Sequence, residues 1–229
     1  MKISKRIKEI KSKVDLQKIY NVEEAVNILK DNSKVKFDET LEVAVKLGVD
    51  PKYSDQMVRG FVNLPNGTGK VVRVAVFAKE SKAEEAKLAG ADIVGADDLV
   101  EKINAGEINF DRCIATPDVM ALVGRVAKIL GPKGLMPNPK LGTVTVNIKE
   151  AIASIKAGQV EFRVEKNGIV HAGLGKISFT KEALVANIKA FFDKLSKSRP
   201  QGAKGVFIVR ASLTSTMNVG LNLDLSTVL

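Results

Sequence analysis

The hydrophobic period of this chain changes twice, and that limits the folds open to it more than any single motif does. Leu41, Val43, Val45, Leu47 and Val49 alternate with Thr40, Glu42, Ala44, Lys46 and Gly48, the period of a strand with one buried face. The same style returns after residue 159, where Val160, Phe162 and Val164 alternate with Glu161, Arg163 and Glu165. Asn167-Gly168 predicts a hairpin turn into a return strand that begins at residues 169–172. A last strand sets Phe207, Val209, Ala211 and Leu213 against Ile208, Arg210, Ser212, Thr214 and Thr216, and Leu221, Leu223 and Leu225 repeat the alternation. Between these ends, residues 71–78 are almost continuously apolar, as in a strand covered on both sides.

Helical signals fill the gaps. A basic helix is expected over residues 4–13, and Asn21 with Glu24 forms a capping box for a helix carrying Val22, Ala25, Val26 and Leu29. A strand is predicted over about residues 56–64. In the middle, Ser81 with Glu84 caps one helix, and Asp97 and Asp98 open another, where acids suit the positive end of the dipole. Thr116 before Pro117 starts a third, running to Leu130, and Asn147 with Glu150 caps a fourth. Leu184, Ile188, Phe191, Phe192 and Leu195 mark the face of a helix over residues 181–197. Strands alternating with helices predict a parallel sheet with helices on both sides. The whole reads as an α/β protein of two domains. Residues 1–67 and 159–229 make a discontinuous α+β domain from both chain ends, and residues 68–158 form an inserted Rossmann-like three-layer α/β domain. The chain would cross at Gly67 and Thr68 and again at Gly158 and Gln159, a hinge where glycine suits a bend.

Charge is divided unevenly between these parts. The net charge is +10, from 36 basic and 26 acidic side chains. Residues 68–159 hold 13 basic and 11 acidic side chains, so the two ends carry a net +8 and the middle only +2. Such an excess on one domain fits either a solvated basic face or a polyanionic partner such as nucleic acid. No apolar run approaches the roughly 20 residues of a membrane span, and the basic start leads into alternating charge instead of a signal sequence. No membrane partner is expected.

Residues 131–143 carry three prolines and three glycines, with Lys133 and Lys140 and no acid. They predict a stiff irregular loop, built to hold a shape. Nothing in the loop is a nucleophile or a metal ligand. Gly67-Thr68-Gly69 precedes its strand, the wrong place for a dinucleotide fingerprint, and Gly69-Lys70 lacks the remaining residues of a phosphate loop. A lone His171 and a lone Cys113, the latter in an apolar strand, supply neither a metal site nor a catalytic pair. The expectation is a protein that is not an enzyme, with no cofactor and no metal. By contrast Arg210, Ser212, Thr214 and Thr216 line one strand face, and such groups bond to phosphate, ribose and base edges.

Several ordered motifs sharpen this. Lys36-Phe37-Asp38-Glu39-Thr40-Leu41-Glu42-Val43, Ser54-Asp55-Gln56-Met57-Val58-Arg59-Gly60, Ala115-Thr116-Pro117-Asp118-Val119-Met120, residues 131–140, Val160-Glu161-Phe162-Arg163, Gly202-Ala203-Lys204-Gly205 and Ser215-Thr216-Met217 resemble the bacterial large-subunit ribosomal protein L-one family. The resemblance runs from about residue 15 to about residue 217. It implies the same two-domain inserted fold and a structural constituent of the large ribosomal subunit. Such a protein would bind large-subunit rRNA, form the mobile stalk near the tRNA exit site and assist release of deacylated tRNA. It would also repress translation by binding its own operon mRNA, be monomeric when free, and work on ribosomes in the cytoplasm. Carried over by motif, the rRNA surface includes Lys36, Phe37, Thr40, Glu42, Arg163, Lys166, Arg210, Thr216 and Met217. Ser212 and Thr214 join it from the same strand, and Asn218 stands where the family usually has glycine.

Overall fold

The computed structural model describes residues 4–228, and the side chains of all of these except Glu80 and Ser81. Met1, Lys2 and Ile3 of the basic N-terminus therefore lie outside the described residues. In chain order the first elements are α1 (Lys5–Lys13), β1 (Ile19–Tyr20), α2 (Val22–Asn32), β2 (Thr40–Leu47) and β3 (Arg59–Asn63). Next come β4 (Val74–Phe77), α3 (Glu80–Leu88), β5 (Ile93–Gly95), α4 (Asp97–Asn104), β6 (Arg112–Ala115), α5 (Met120–Arg125), α6 (Ala127–Leu130) and α7 (Ile148–Lys156). Last are β7 (Gln159–Arg163), β8 (Ile169–Lys176), α8 (Lys181–Lys197), β9 (Ile208–Ser215) and β10 (Leu221–Leu223). Contacts group the chain into two compact units, Met1–Gly69 with Gly158–Leu229, and Lys70–Ala157.

In the first unit a five-stranded sheet runs in the order β1-β10-β9-β2-β8. Strand β2, between β9 and β8, is antiparallel to both neighbours, so residues from the two chain ends share one sheet. Its inner residues Leu41, Val43, Val45 and Leu47 are at most 1% exposed and share one core with α2 and α8. Burial of each stabilises the unit by about 1.5–3 kcal/mol. The period-two pattern thus has its expected cause: one face meets helices and the other meets water. β3 and β7 form a separate two-stranded ladder, joined to β8 through a bridge between Val164 and Val170. There Gly60 leaves room for the Phe162 ring, which meets Phe191 edge-on at 5.8 Å.

In the second unit β4 lies between β5 and β6, all parallel. Leu99, Val100 and Ile103 of α4, with Val123 and Leu130, cover one side, while Ala86 of α3 and Ile148, Ile152 and Ile155 of α7 cover the other. Cys113 is buried in this core, and desolvation pushes its thiol well above the ordinary range. The loop at residues 131–143 is held by its own bonds: Thr143 Oγ1 accepts from Asn138 N at 2.8 Å, and Asn138 Oδ1 accepts from Lys140 N at 2.8 Å.

Several local expectations are corrected. The predicted strand over residues 71–78 shortens to β4, and Val71 is 96% exposed. The strand over residues 56–64 shortens to β3, since Ser54–Gln56 turns as a 3-10 helix. After the loop at residues 131–143, Val144 makes only a bridge to Ala115. The helix expected up to Leu130 breaks into a 3-10 turn, α5 and α6. Asn21, Thr116 and Asn147 occupy N-cap positions without a side-chain capping bond, although Asn147 Nδ2 donates to Glu150 at 3.3 Å. Helix α3 starts at Glu80, so Ser81 lies inside it, and the Ser81 side chain is outside the described residues. On β9 the alternation fails at Val209, which is 53% exposed while Ile208 is buried. A register shift opposite Lys46 and Leu47 is the cause, because an extra residue reverses side-chain direction.

Candidate nucleic-acid interface

The outer face of the five-stranded sheet is built by cross-strand pairs. Glu42 stands opposite Thr214, Ala44 opposite Ser212 and Lys46 opposite Arg210 on β9. On the other side Thr40 pairs with Lys176, and Ala44 with His171. Glu42, Lys46, His171 and Arg210 are exposed, and Ser212 and Thr214 half-buried. This is the face expected from strand parity.

At one end of β2 the two chain ends are clasped. Thr216 Oγ1 accepts from Thr40 N at 2.9 Å, and Thr216 N donates to Thr40 O at 3.2 Å. Beneath them Glu39 is only 2% exposed, and its carboxylate accepts the Ser215 hydroxyl. Lys176 Nζ donates to Thr40 Oγ1 at 3.0 Å and to Asp38 O at 3.1 Å. The Asp38 carboxylate is itself occupied by Ser178, through its backbone N–H at 3.2 Å and its hydroxyl at 2.7 Å. Arg6 of α1 donates to Met217 O at 3.0 Å, fixing the turn after β9. Beside this clasp Phe37 is 52% and Met217 43% exposed, and Lys36 is exposed in the bend that leads into β2. Two large apolar side chains at the water surface, framed by lysines and hydroxyls, can stack on or cover bases while their neighbours meet ribose and phosphate. Glu42 is the one exposed acid among the predicted residues of this face, suited to accept from a base amine or a 2′-hydroxyl.

Not every predicted residue joins the clasp. Asn218 turns inward, its amide donating to Leu29 O at 3.3 Å and its oxygen accepting from Val219 N at 2.9 Å. The Thr214 hydroxyl is shared between Ser215 O and Val219 O, each at 3.1 Å. Arg210 and Ser212 converge on Asn222 Oδ1, with Arg210 Nη2 at 2.8 Å. Arg163 lies on β7, outside the five-stranded sheet, and Lys166 in the turn after it, near the Lys46 end of β2. Thr40 and Lys46 are about 20 Å apart by strand rise. So the outward-facing predicted residues fall into two groups, one at the Thr40 end of β2 and one toward its Lys46 end. Gly67 and Gly158, with φ of 67° and 104°, pack backbone to backbone at the chain crossings, and Gln159 pairs with Asn63.

Sequence reasoning missed four residues. Lys176, Glu39 and Asn222 gave no signal, because their partners are remote in the chain. Asn187 could have been found: three residues after Leu184 and four before Phe191, it interrupts an apolar stripe. It is fully buried, donates to Gly67 O at 3.0 Å and Leu174 O at 2.7 Å, and accepts from Asn66 N at 3.0 Å.

The sheet face carries hydroxyls and cations with exposed Phe37 and Met217 beside it, groups that can meet phosphate, ribose and bases. Among the described residues no group of three or more His, Cys, Asp or Glu is placed to hold a metal, and no helix is long and apolar enough to cross a membrane. The family model of the ribosomal protein L1p/L10e family matches residues 29–219, and the chain belongs to that family. It is thus a ribosomal protein that binds rRNA, in a family of structural components.

Proposed function

We propose that this protein forms the mobile stalk of the large subunit beside the tRNA exit site, assists release of deacylated tRNA, and represses its own operon by binding the mRNA. Lys36, Phe37, Thr40, Glu42, Thr216 and Met217 make the principal rRNA contact, with Arg210, Ser212 and Thr214 along the same sheet and Arg163 and Lys166 at its far end. Asn218 acts from behind, by shaping the turn. Residues 1–67 with 159–229 work as the RNA-binding domain and residues 68–158 as the inserted lobe, with Gly67, Thr68, Gly158 and Gln159 as the hinge. The protein is monomeric when free and acts on cytoplasmic ribosomes.

The observation that carries the reading is the bonding of Thr40 to Thr216, which unites both ends of the chain beside exposed Phe37 and Met217. Lysine and arginine supply salt-sensitive affinity by releasing counterions, and the hydroxyls, Glu42 and Phe37 supply discrimination. Repression through the same surface requires that the two RNAs exclude each other. In a gel-shift competition, a transcript of the protein's own operon leader is expected to displace a large-subunit rRNA fragment completely. Simultaneous binding of both, or no binding of the leader, contradicts the repressor role.

A further inference from the structure

The β3–β7 ladder holds an arrangement that stability alone does not favour. Arg59 and Arg163 are direct cross-strand partners, and both are exposed. Side chains so placed have Cβ atoms about 4.5–5.5 Å apart, and like charges directly opposite are destabilising. Among the described residues neither guanidinium has an acidic partner. The nearby aromatic on this ladder, Phe61, is already covered by Lys194, whose Nζ lies 5.4 Å from the ring centroid. Glu161 and Glu165 lie two residues either side of Arg163, yet neither pairs with either guanidinium, and two planar forks of N–H donors side by side match the oxygens of a phosphate.

The ladder also faces the right way. Val164 bridges Val170, and both are buried, so their neighbours Arg163 and His171 leave the core on the same side. The Glu165 carboxylate, 3.8 Å from His171 Nε2, confirms that side. His171 in turn opposes Ala44, which opposes Ser212. The two arginines therefore extend the row of outer residues beyond β8.

We propose that Arg59 and Arg163 together grip one backbone phosphate of the bound RNA, making Arg59 a contact residue at a second anchor remote from the Thr40–Thr216 clasp. The proposal rests on the reading of this sheet face as the RNA surface. An RNA held at both anchors must present phosphate at two separated points, which a folded site does and a short single strand need not.

The probe is a transcript of the large-subunit rRNA segment that the wild-type protein protects from ribonuclease, titrated by filter binding across a range of KCl concentrations. Arg59→Gln is expected to weaken binding about threefold to tenfold and to lower the slope of log affinity against log salt by a fraction of the roughly 0.7 to 0.9 that one whole phosphate contact contributes, because Arg163 still holds the phosphate. Its melting temperature should stay level or rise, because a repulsion is removed. Arg59→Lys should retain the slope while losing part of the affinity, since an ammonium lacks the fork. Thr216→Val, measured alongside, separates the two claims. If Arg59→Gln leaves affinity and slope unchanged while Thr216→Val weakens binding, the second anchor is wrong and the sheet-face reading stands. If neither weakens binding, the sheet-face reading falls and takes this inference with it.

Discussion

Thr216→Val is expected to weaken binding to large-subunit rRNA about tenfold, the effect of losing roughly 1–1.5 kcal/mol of hydrogen bonding, while the protein stays folded. Valine matches threonine in shape, so the turn after β9 keeps its volume. What disappears is the oxygen that accepts from Thr40 N at 2.9 Å. Thr216 is exposed and Thr40 only half-buried, so water can replace that partner in the free protein. Stability should fall by less than about 1 kcal/mol. In the complex water is excluded, and the freed N–H and missing hydroxyl both count. Filter binding alongside thermal unfolding checks the pair of outcomes. Unchanged affinity removes Thr216 from the contact, and unfolding of the variant assigns it a structural role instead.

The second large effect is on stability. Asn187→Leu is expected to cost about 3 kcal/mol, because two carbonyls and one N–H lose their partners together. The side chain is fully buried on α8 and bonds Gly67 O, Leu174 O and Asn66 N. Asn66 Nδ2 returns a bond to Ala183 O at 3.2 Å, so α8 and the first chain crossing hold each other from both sides. Leucine suits the surrounding apolar stripe, which makes this a test of polar satisfaction and not of packing. Thermal unfolding should show a midpoint lower by on the order of 10 °C. A midpoint within about 2 °C of wild type would mean the amide contributes little to holding residues 66 and 67.

These two residues also show what a sequence can and cannot reveal. The apolar stripe of α8 follows directly from spacing: Leu184, Ile188, Phe191, Phe192 and Leu195 are all buried. The alternation in β2 is equally faithful, since one face touches helices along its whole length. Alternation misleads at Val209, where the register shift lies in the pairing with β2, and no property of residues 207–216 announces it. Expected N-caps fail for a related reason. Asn21 and Thr116 stand at helix starts, yet the side-chain bonds depend on local rotamers that spacing does not set. The candidate site was legible as residue types along strands, and Phe37 and Met217 were found through family motifs. Its geometry was not. Thr40 and Thr216 are 176 residues apart, and nothing in either segment names the other as its partner. Lys176, Glu39 and Asn222 stayed hidden because each works by orienting a neighbour that belongs to a different strand.

Both ends of the chain making one RNA-binding body is the claim on which the rest depends. The most direct test is a single chain in which Gly69 is joined to Gly158, omitting residues 70–157, titrated against the same rRNA fragment as the full protein. Binding within about threefold of wild type, a difference under roughly 0.7 kcal/mol, is the predicted result. A cooperatively folded chain of this kind whose affinity falls more than about a hundredfold, roughly 2.7 kcal/mol, would contradict it.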